Sequence, residues 1–201
     1  VGVELFEVAE GVTNLQMPDG KPYDEGDVIE LAVATDTVFG RTPVSVDSED
    51  LAGFRDAVDN LVGAGSLVRK GVLSSVGNDS AGNERALWSF SVDLADITAA
   101  ELIRFTPEVA GTIVAAYAVV DAAVTTAAKL ATLSLAVNAG TAAGTIALTS
   151  AAATPANKII AGSTTTANNT FDADDDLVIT ASAVTAFVEG KITIYVLLTQ
   201  A

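Results

Sequence analysis

Four carboxylates stand within five residues at Asp172-Ala173-Asp174-Asp175-Asp176. Closely spaced carboxylates suit Ca²⁺, a hard cation that collects several oxygen ligands. Asp172, Asp174, Asp175 and Asp176 are therefore the candidate metal ligands. The run lacks the glycine and distal glutamate of an EF-hand loop, so a solvated turn held at the surface by its own charge is the competing reading. Asp19, Asp24, Glu25 and Asp27 form a second acidic patch beside Gly20 and Gly26, with the same two readings. A carboxylate pair can also hydrolyse a glycoside when both groups face one sugar cleft. Three Tyr and one Trp leave few platforms for a sugar to stack on.

Other chemistry is excluded more firmly. The chain has no His and no Cys. A Ser-His-Asp triad, a Cys-His pair, the usual zinc sites and disulfides cannot be built from it. Gly140-Thr141-Ala142-Ala143-Gly144-Thr145 has glycines but no lysine in place, and it leads into an expected strand rather than a helix, so it is not a phosphate loop. No catalytic residue and no cofactor site is expected: the chain reads as a non-enzyme.

The net charge of −16 is unevenly placed. Residues 1–100 carry 18 acidic and 6 basic side chains, and residues 101–201 carry 8 and 4. Such a surface repels phosphate backbones and anionic lipid, so neither nucleic acid nor membrane is an expected partner. The mean hydropathy of +0.44 is high. The longest charge-free run, Leu130 to Asn157, is long enough to span a bilayer, but Asn138, Gly140, Gly144 and Pro155 interrupt it and alanine supplies most of its apolar content. No transmembrane helix is expected. The opening Val1-Gly2-Val3-Glu4 has neither the basic start nor the apolar run of a signal peptide.

The elements that would position these residues follow from periodicity. Val3–Val8 and Val28–Val33 read as strands, separated by turn chemistry at Met17–Pro22, and Phe39–Pro43 breaks the second. Leu51, Phe54, Val58 and Leu61 recur on one helical face, which predicts an amphipathic helix over Ser48–Val62. Asp47 or Ser48 would cap it, Glu49 and Asp50 would sit in its first turn, and Gly63-Ala64-Gly65 would end it. Leu67–Val76 is an expected strand, followed by a polar turn over Gly77–Asn83. From Leu87 to Leu94 the residues alternate, with Trp88, Phe90, Val92 and Leu94 on the buried side.

Charge density falls between Ala95 and Thr106, which marks the expected domain boundary. Residues 1–100 then form an acidic α+β region with its helix at about 48–62, and residues 101–201 an Ala/Thr-rich β-domain. Short strands at Ile113–Val120, Leu130–Val137, Thr145–Thr149, Lys158–Ala161, Leu177–Ala181 and Ile192–Leu198, with Gly, Asn or Pro between most of them, predict a sandwich or barrel. Over Ala115–Leu130, where alanine dominates, a helix remains open. The fold class is mainly β, with small side chains that let a second sheet or subunit approach closely.

The order of segments in this C-terminal half resembles a known family. It runs Phe105-Thr106-Pro107, Ala115-Ala116-Tyr117, Thr125-Thr126-Ala127, Leu133–Asn138, Gly144–Thr149, Ala161-Gly162-Ser163, Phe171–Asp175 and Thr185–Val196. It is similar to the head decoration or cement proteins of tailed bacteriophages, small jelly-roll-like β-sandwich structural proteins. The resemblance covers Glu101 to Gln200. It implies homotrimers on the virion surface, seated on the outer capsid lattice, bridging major capsid protein subunits and resisting the pressure of packaged DNA. Two other expectations stand beside it: a β-sandwich adhesin or carbohydrate-binding module using Ca²⁺ at Asp172–Asp176, and a phage tail or fibre element.

Overall fold

A computed structural model describes residues 2–17, 22–32, 44–45, 51–153, 156–163 and 165–201. The chain divides into two compact units, residues 1–75 and 76–201.

The first unit is built on β1 (Gly2–Val8). Two short strands follow, β2 (Leu15–Gln16) and β3 (Pro22–Tyr23), then β4 (Val28–Ala32) and β5 (Val44–Ser45). Helix α1 (Leu51–Gly63) leads to β6 (Leu67–Asn78), whose last residues lie in the second unit. β1 pairs antiparallel with β4 on one side and β6 on the other. Phe6, Val8, Met17, Ile29, Val58 and Leu67 form the core, with Leu61 and Val62 of the helix packed against it. The helix ends as the glycines require. Gly65 adopts φ +75°, its N–H bonds to the Val62 carbonyl, and the Ser66 N–H reaches back to Leu61. This is a Schellman stop, which satisfies carbonyls the helix would otherwise leave open. Arg69 ties the helix to the sheet: its guanidinium pairs with Glu4 at 3.1 Å and Asp59 at 3.0 Å and lies 4.9 Å from the Phe6 ring centre. The expected break at Phe39–Pro43, the cap at Asp47 or Ser48, the acidic first turn and the side chains of Leu51 and Phe54 lie outside the described residues.

The second unit is a β-sandwich. Its strands are β7 (Glu84–Asp93), β8 (Glu101–Phe105), β9 (Gly111–Ala122), β10 (Leu130–Val137), β11 (Ala142–Thr149), β12 (Ile159–Ala161), β13 (Thr170–Phe171), β14 (Leu177–Thr185) and β15 (Lys191–Gln200). One sheet runs β12-β9-β15-β7 with β13 also on β9, and the other runs β11-β10-β14-β8. All of these pairings are antiparallel. A 3-10 turn (Leu94–Asp96) and a one-turn helix α2 (Ser150–Ala153) occupy two of the loops.

The period-two pattern sets the core. Ile192, Ile194, Val196 and Leu198 of β15 are fully buried, and Ala86, Trp88 and Phe90 of β7 point the same way. They face Leu133 and Leu135 of β10, Ile146 and Leu148 of β11, and Leu177 and Ile179 of β14, all buried. Each large aliphatic side chain contributes roughly 1.5–3 kcal/mol by leaving water. Trp88 joins the two layers: its ring lies 4.9 Å from Phe105 of the opposite sheet and 5.1 Å from Phe90. One side of the sandwich is closed by a strap at Gly162 and Ser163. The Gly162 N–H bonds to the Ala116 carbonyl of one sheet, and the Ser163 N–H to the Thr145 carbonyl of the other. A Cβ on Gly162 would lie 2.4 Å from the Ala116 oxygen, so only glycine fits. Ser163 Oγ also accepts the Thr145 N–H, which covers part of the β11 edge.

Two expectations change. β7, expected in the N-terminal region, pairs with β15 from Asp93↔Lys191 to Arg85↔Thr199, so the division at residues 75/76 differs from the one sought between Ala95 and Thr106. Charge density follows solvent exposure, whereas a domain follows strand pairing. Ala115–Ala122, where a helix stayed open, is strand: β9 is hydrogen-bonded to β15 on one side and to β12 and β13 on the other. Pairing on both edges overrides alanine's helical propensity.

Replacing Trp88 with alanine removes the contact between layers and leaves a cavity. The expected loss is about 3–5 kcal/mol, read from guanidinium unfolding followed by far-ultraviolet circular dichroism. A loss within about 1 kcal/mol would show that the layers are held elsewhere.

Candidate functional site

The strands of the second unit put its loops at two opposite rims. The first rim carries the predicted metal ligands. They occupy the tight turn between β13 and β14, where the Asp175 N–H bonds to the Asp172 carbonyl and the Asp172 N–H to Asp175 Oδ2. Asn138, in the β10–β11 turn, grips this run. Its side-chain amide donates to Asp175 Oδ1, its Oδ1 accepts the Asp176 N–H at 2.8 Å, and its own N–H bonds to the Asp176 carbonyl at 2.8 Å. Asp176 also accepts Thr106 Oγ1 at 2.6 Å and Arg104 Nη1 at 2.6 Å. Arg104 closes the network with a two-point pair to Glu101, at 3.1 and 2.8 Å. Glu101 first and Asp176 second raise the guanidinium pKa further above its ordinary value.

The structure thus separates the four carboxylates by role. Asp175 and Asp176 are half-buried and spend their oxygens on protein donors, while Asp172 and Asp174 are exposed at the tip. Among the described residues, no three carboxylates converge on a point that would hold a metal ion. The second acidic patch works in the same way. Glu25 accepts the Gly11 N–H at 2.9 Å, Asp24 the Asn14 N–H at 2.7 Å, and Asp27 the Asp24 N–H at 2.7 Å. These bonds fix the loop after β1 to the turn before β4. Asp19 lies outside the described residues. At the turn over Asp79–Asn83, Asp79 accepts the N–H groups of Ala81 and Asn83. Its carboxyl is held below its ordinary range, chiefly by the Asn83 N–H.

The opposite rim was not legible as a site. There Glu189 reaches into the β9–β10 loop. Its Oε1 accepts the Thr125 N–H and Oγ1 at 2.8 and 2.6 Å, and the Thr126 N–H and Oγ1 at 2.7 and 2.9 Å. The Thr125 hydroxyl first, then the Thr125 N–H and the two Thr126 groups, lower the carboxyl pKa to about 2. Ser150 pins the far side of the same loop, donating to the Thr126 carbonyl at 2.8 Å and accepting the Lys129 N–H at 2.8 Å. The Val124 N–H bonds to the Ala153 carbonyl of α2, and the Leu94 N–H to the Gly190 carbonyl. Three loops and the 3-10 turn are therefore fixed to one another by hydrogen bonds. On this rim Val188 is 64% exposed and Leu130 40% exposed. Thr125-Thr126 and Glu189 are conspicuous in the sequence only as polar residues in loops; no local spacing links them.

What this arrangement can do is present a hydrogen-bonded rim with exposed Val188 and Leu130 at one end and an acidic turn at the other, two of whose carboxylates are held by protein donors.

Two measurements check these assignments. With Asp175 and Asp176 committed to protein donors, millimolar Ca²⁺ is expected to leave the Tm unchanged; a rise that Asp174→Asn abolishes would restore the calcium reading. For Glu189, the folded carboxyl lies near 2 against an ordinary value of 4.5. A depressed folded pKa contributes stability that is fully present above the unfolded value and lost as pH falls towards the folded one. Glu189→Gln should therefore lower stability to urea at neutral pH, and its deficit relative to the parent should shrink from about pH 4.5 down to about pH 2. A constant deficit across that window would show that the charge is not what fixes the loop. Comparison with protein-family models, with curated proteins and with solved structures gave no match, so the functional reading rests on these two rims and on the order of residues along the chain.

Proposed function

We propose that the chain is a structural virion protein that decorates a bacteriophage capsid and cements its outer surface, as a homotrimer bridging major capsid subunits. The observation that carries this reading is the pre-fixed rim with Val188 and Leu130 exposed. A cement works by burying area across neighbouring subunits, and such burial contributes roughly 25 cal/mol per Å² before the costs of association. A rim whose loops are already held by Glu189 and Ser150 loses little conformational freedom on docking. The resemblance of Glu101–Gln200 to decoration proteins supplies the partner. The net charge of −16 disfavours contact with packaged DNA, which suits an outer position. The commitment of Asp175 and Asp176 to the turn makes the calcium-assisted adhesin reading the weaker one.

The test is to mix the protein with undecorated capsids and follow binding and capsid heat stability. Binding with a raised disruption temperature is expected, and Val188→Asp with Leu130→Asp should weaken it at least about tenfold. No binding and no change in capsid stability would remove the proposal. Binding to isolated tails instead of heads would move the protein to a tail or fibre position.

A further inference from the structure

Tyr117 of β9 and Tyr195 of β15 are direct register partners, and their rings stack with centres 5.0 Å apart and planes 13° from parallel. Both are half-buried on the outer face of their sheet, beside Ala115, Val119, Thr193 and Leu197 on the same strands. The chain has no Cys to intercept an oxidant. Of its other readily oxidised side chains, Trp88 is fully buried and Met17 4% exposed, and the third tyrosine, Tyr23, is half-buried in the first unit with no tyrosine among its register partners. We propose that Tyr117 and Tyr195 form an oxidative cross-linking site, at which a peroxide and a one-electron haem oxidant join the two rings by a carbon–carbon bond.

The step balances. Each phenol gives up one electron and its hydroxyl proton, leaving two phenoxyl radicals with spin at the ring carbons next to oxygen. One such carbon from each ring forms the new bond. Each ring then moves the hydrogen displaced at that carbon to its oxygen, which restores two phenols. The peroxide takes the two electrons and two protons and becomes two waters. Coupling requires the stacked rings to turn edge to edge and their centres to close from 5.0 Å, which adjustment of the two side chains supplies. Burial first and the Tyr195 neighbour second raise the Tyr117 pKa, so this phenol starts protonated and its oxidation releases the proton.

The product is a covalent staple between β9 and β15 in a chain that cannot form disulfides. It closes the loop from residue 117 to residue 195, and a closed loop of that size restricts the unfolded chain strongly. This inference rests on the ring geometry alone and stands whether or not the protein binds capsids.

The test treats dilute full-length protein with hydrogen peroxide and a haem peroxidase. The expected product has monomer mass, blue dityrosine fluorescence, and a tryptic species joining residues 105–129 to residues 192–201. Its Tm should rise by roughly 10 °C. Tyr117→Phe and Tyr195→Phe each keep a ring in place and should each abolish that species. The absence of the joined species, its persistence in either variant, products only between molecules, or an unchanged Tm of the joined monomer would overturn the proposal.

Discussion

The sandwich depends on where its last strand lies. β15 sits between β7 and β9, pairing with Arg85–Asp93 on one edge and Gly111–Ala122 on the other. β7 and β9 are separated in sequence by β8, which goes to the other sheet. Both are completed by the distant last strand, β7 through pairs such as Asp93↔Lys191 and β9 through pairs such as Tyr117↔Tyr195, and the four inward side chains Ile192, Ile194, Val196 and Leu198 fill the centre of the core. The sheet cannot assemble until the C-terminal segment is present. Loop-closure entropy must be overcome before these pairings give anything back, which makes folding of this unit intrinsically slow.

The same constraint explains what the residues revealed in advance. β15 and β7 were legible because alternation is local: Trp88 and Phe90, or Ile192 and Ile194, need only their own strand to show which side is buried. Which strands pair is a long-range property that no local pattern carries. That is why β7 was grouped with the acidic first half on the strength of charge, although its partner is the last strand. It is also why Ala115–Ala122 stayed ambiguous, since alanine fits either element until a neighbouring strand claims the backbone. Gly162 looked like ordinary punctuation. Its role, letting a strap approach the Ala116 carbonyl and tie β9 to β11, exists only once both sheets are in place.

The site was less legible than the fold, for a chemical reason. A carboxylate has the same appearance in sequence whether it waits for a cation or accepts backbone N–H groups. Asp172–Asp176 has the density of a metal loop, yet two of its members serve Asn138, Thr106 and Arg104. Asp24, Glu25 and Asp27 have the same density and close a turn. Among the described residues, Glu189 accepts four hydrogen bonds on one oxygen, and no acidic residue stands near it in sequence. Its donors, Thr125 and Thr126, lie 64 and 63 residues away.

These carboxylates share one role. In a chain without cysteine, and with long loops at both rims, Asp and Glu oxygens hold loop to loop at several of the connections described above. Some of these bonds satisfy a backbone N–H and others a Thr, Asn or Arg side chain; all leave the charge part of its hydration, so the chain can be very acidic without the cost of burying ions. The consequence for recognition is that charge and function part company. Half of the acidic side chains in the Asp172–Asp176 run are occupied by protein donors, whereas the rim fixed by Glu189 adds exposed apolar groups, Val188 and Leu130. A partner that docks there meets loops already set by hydrogen bonds and gains by excluding water from side chains rather than by pairing charge. Such an interface should change less with ionic strength than one built on the acidic patches.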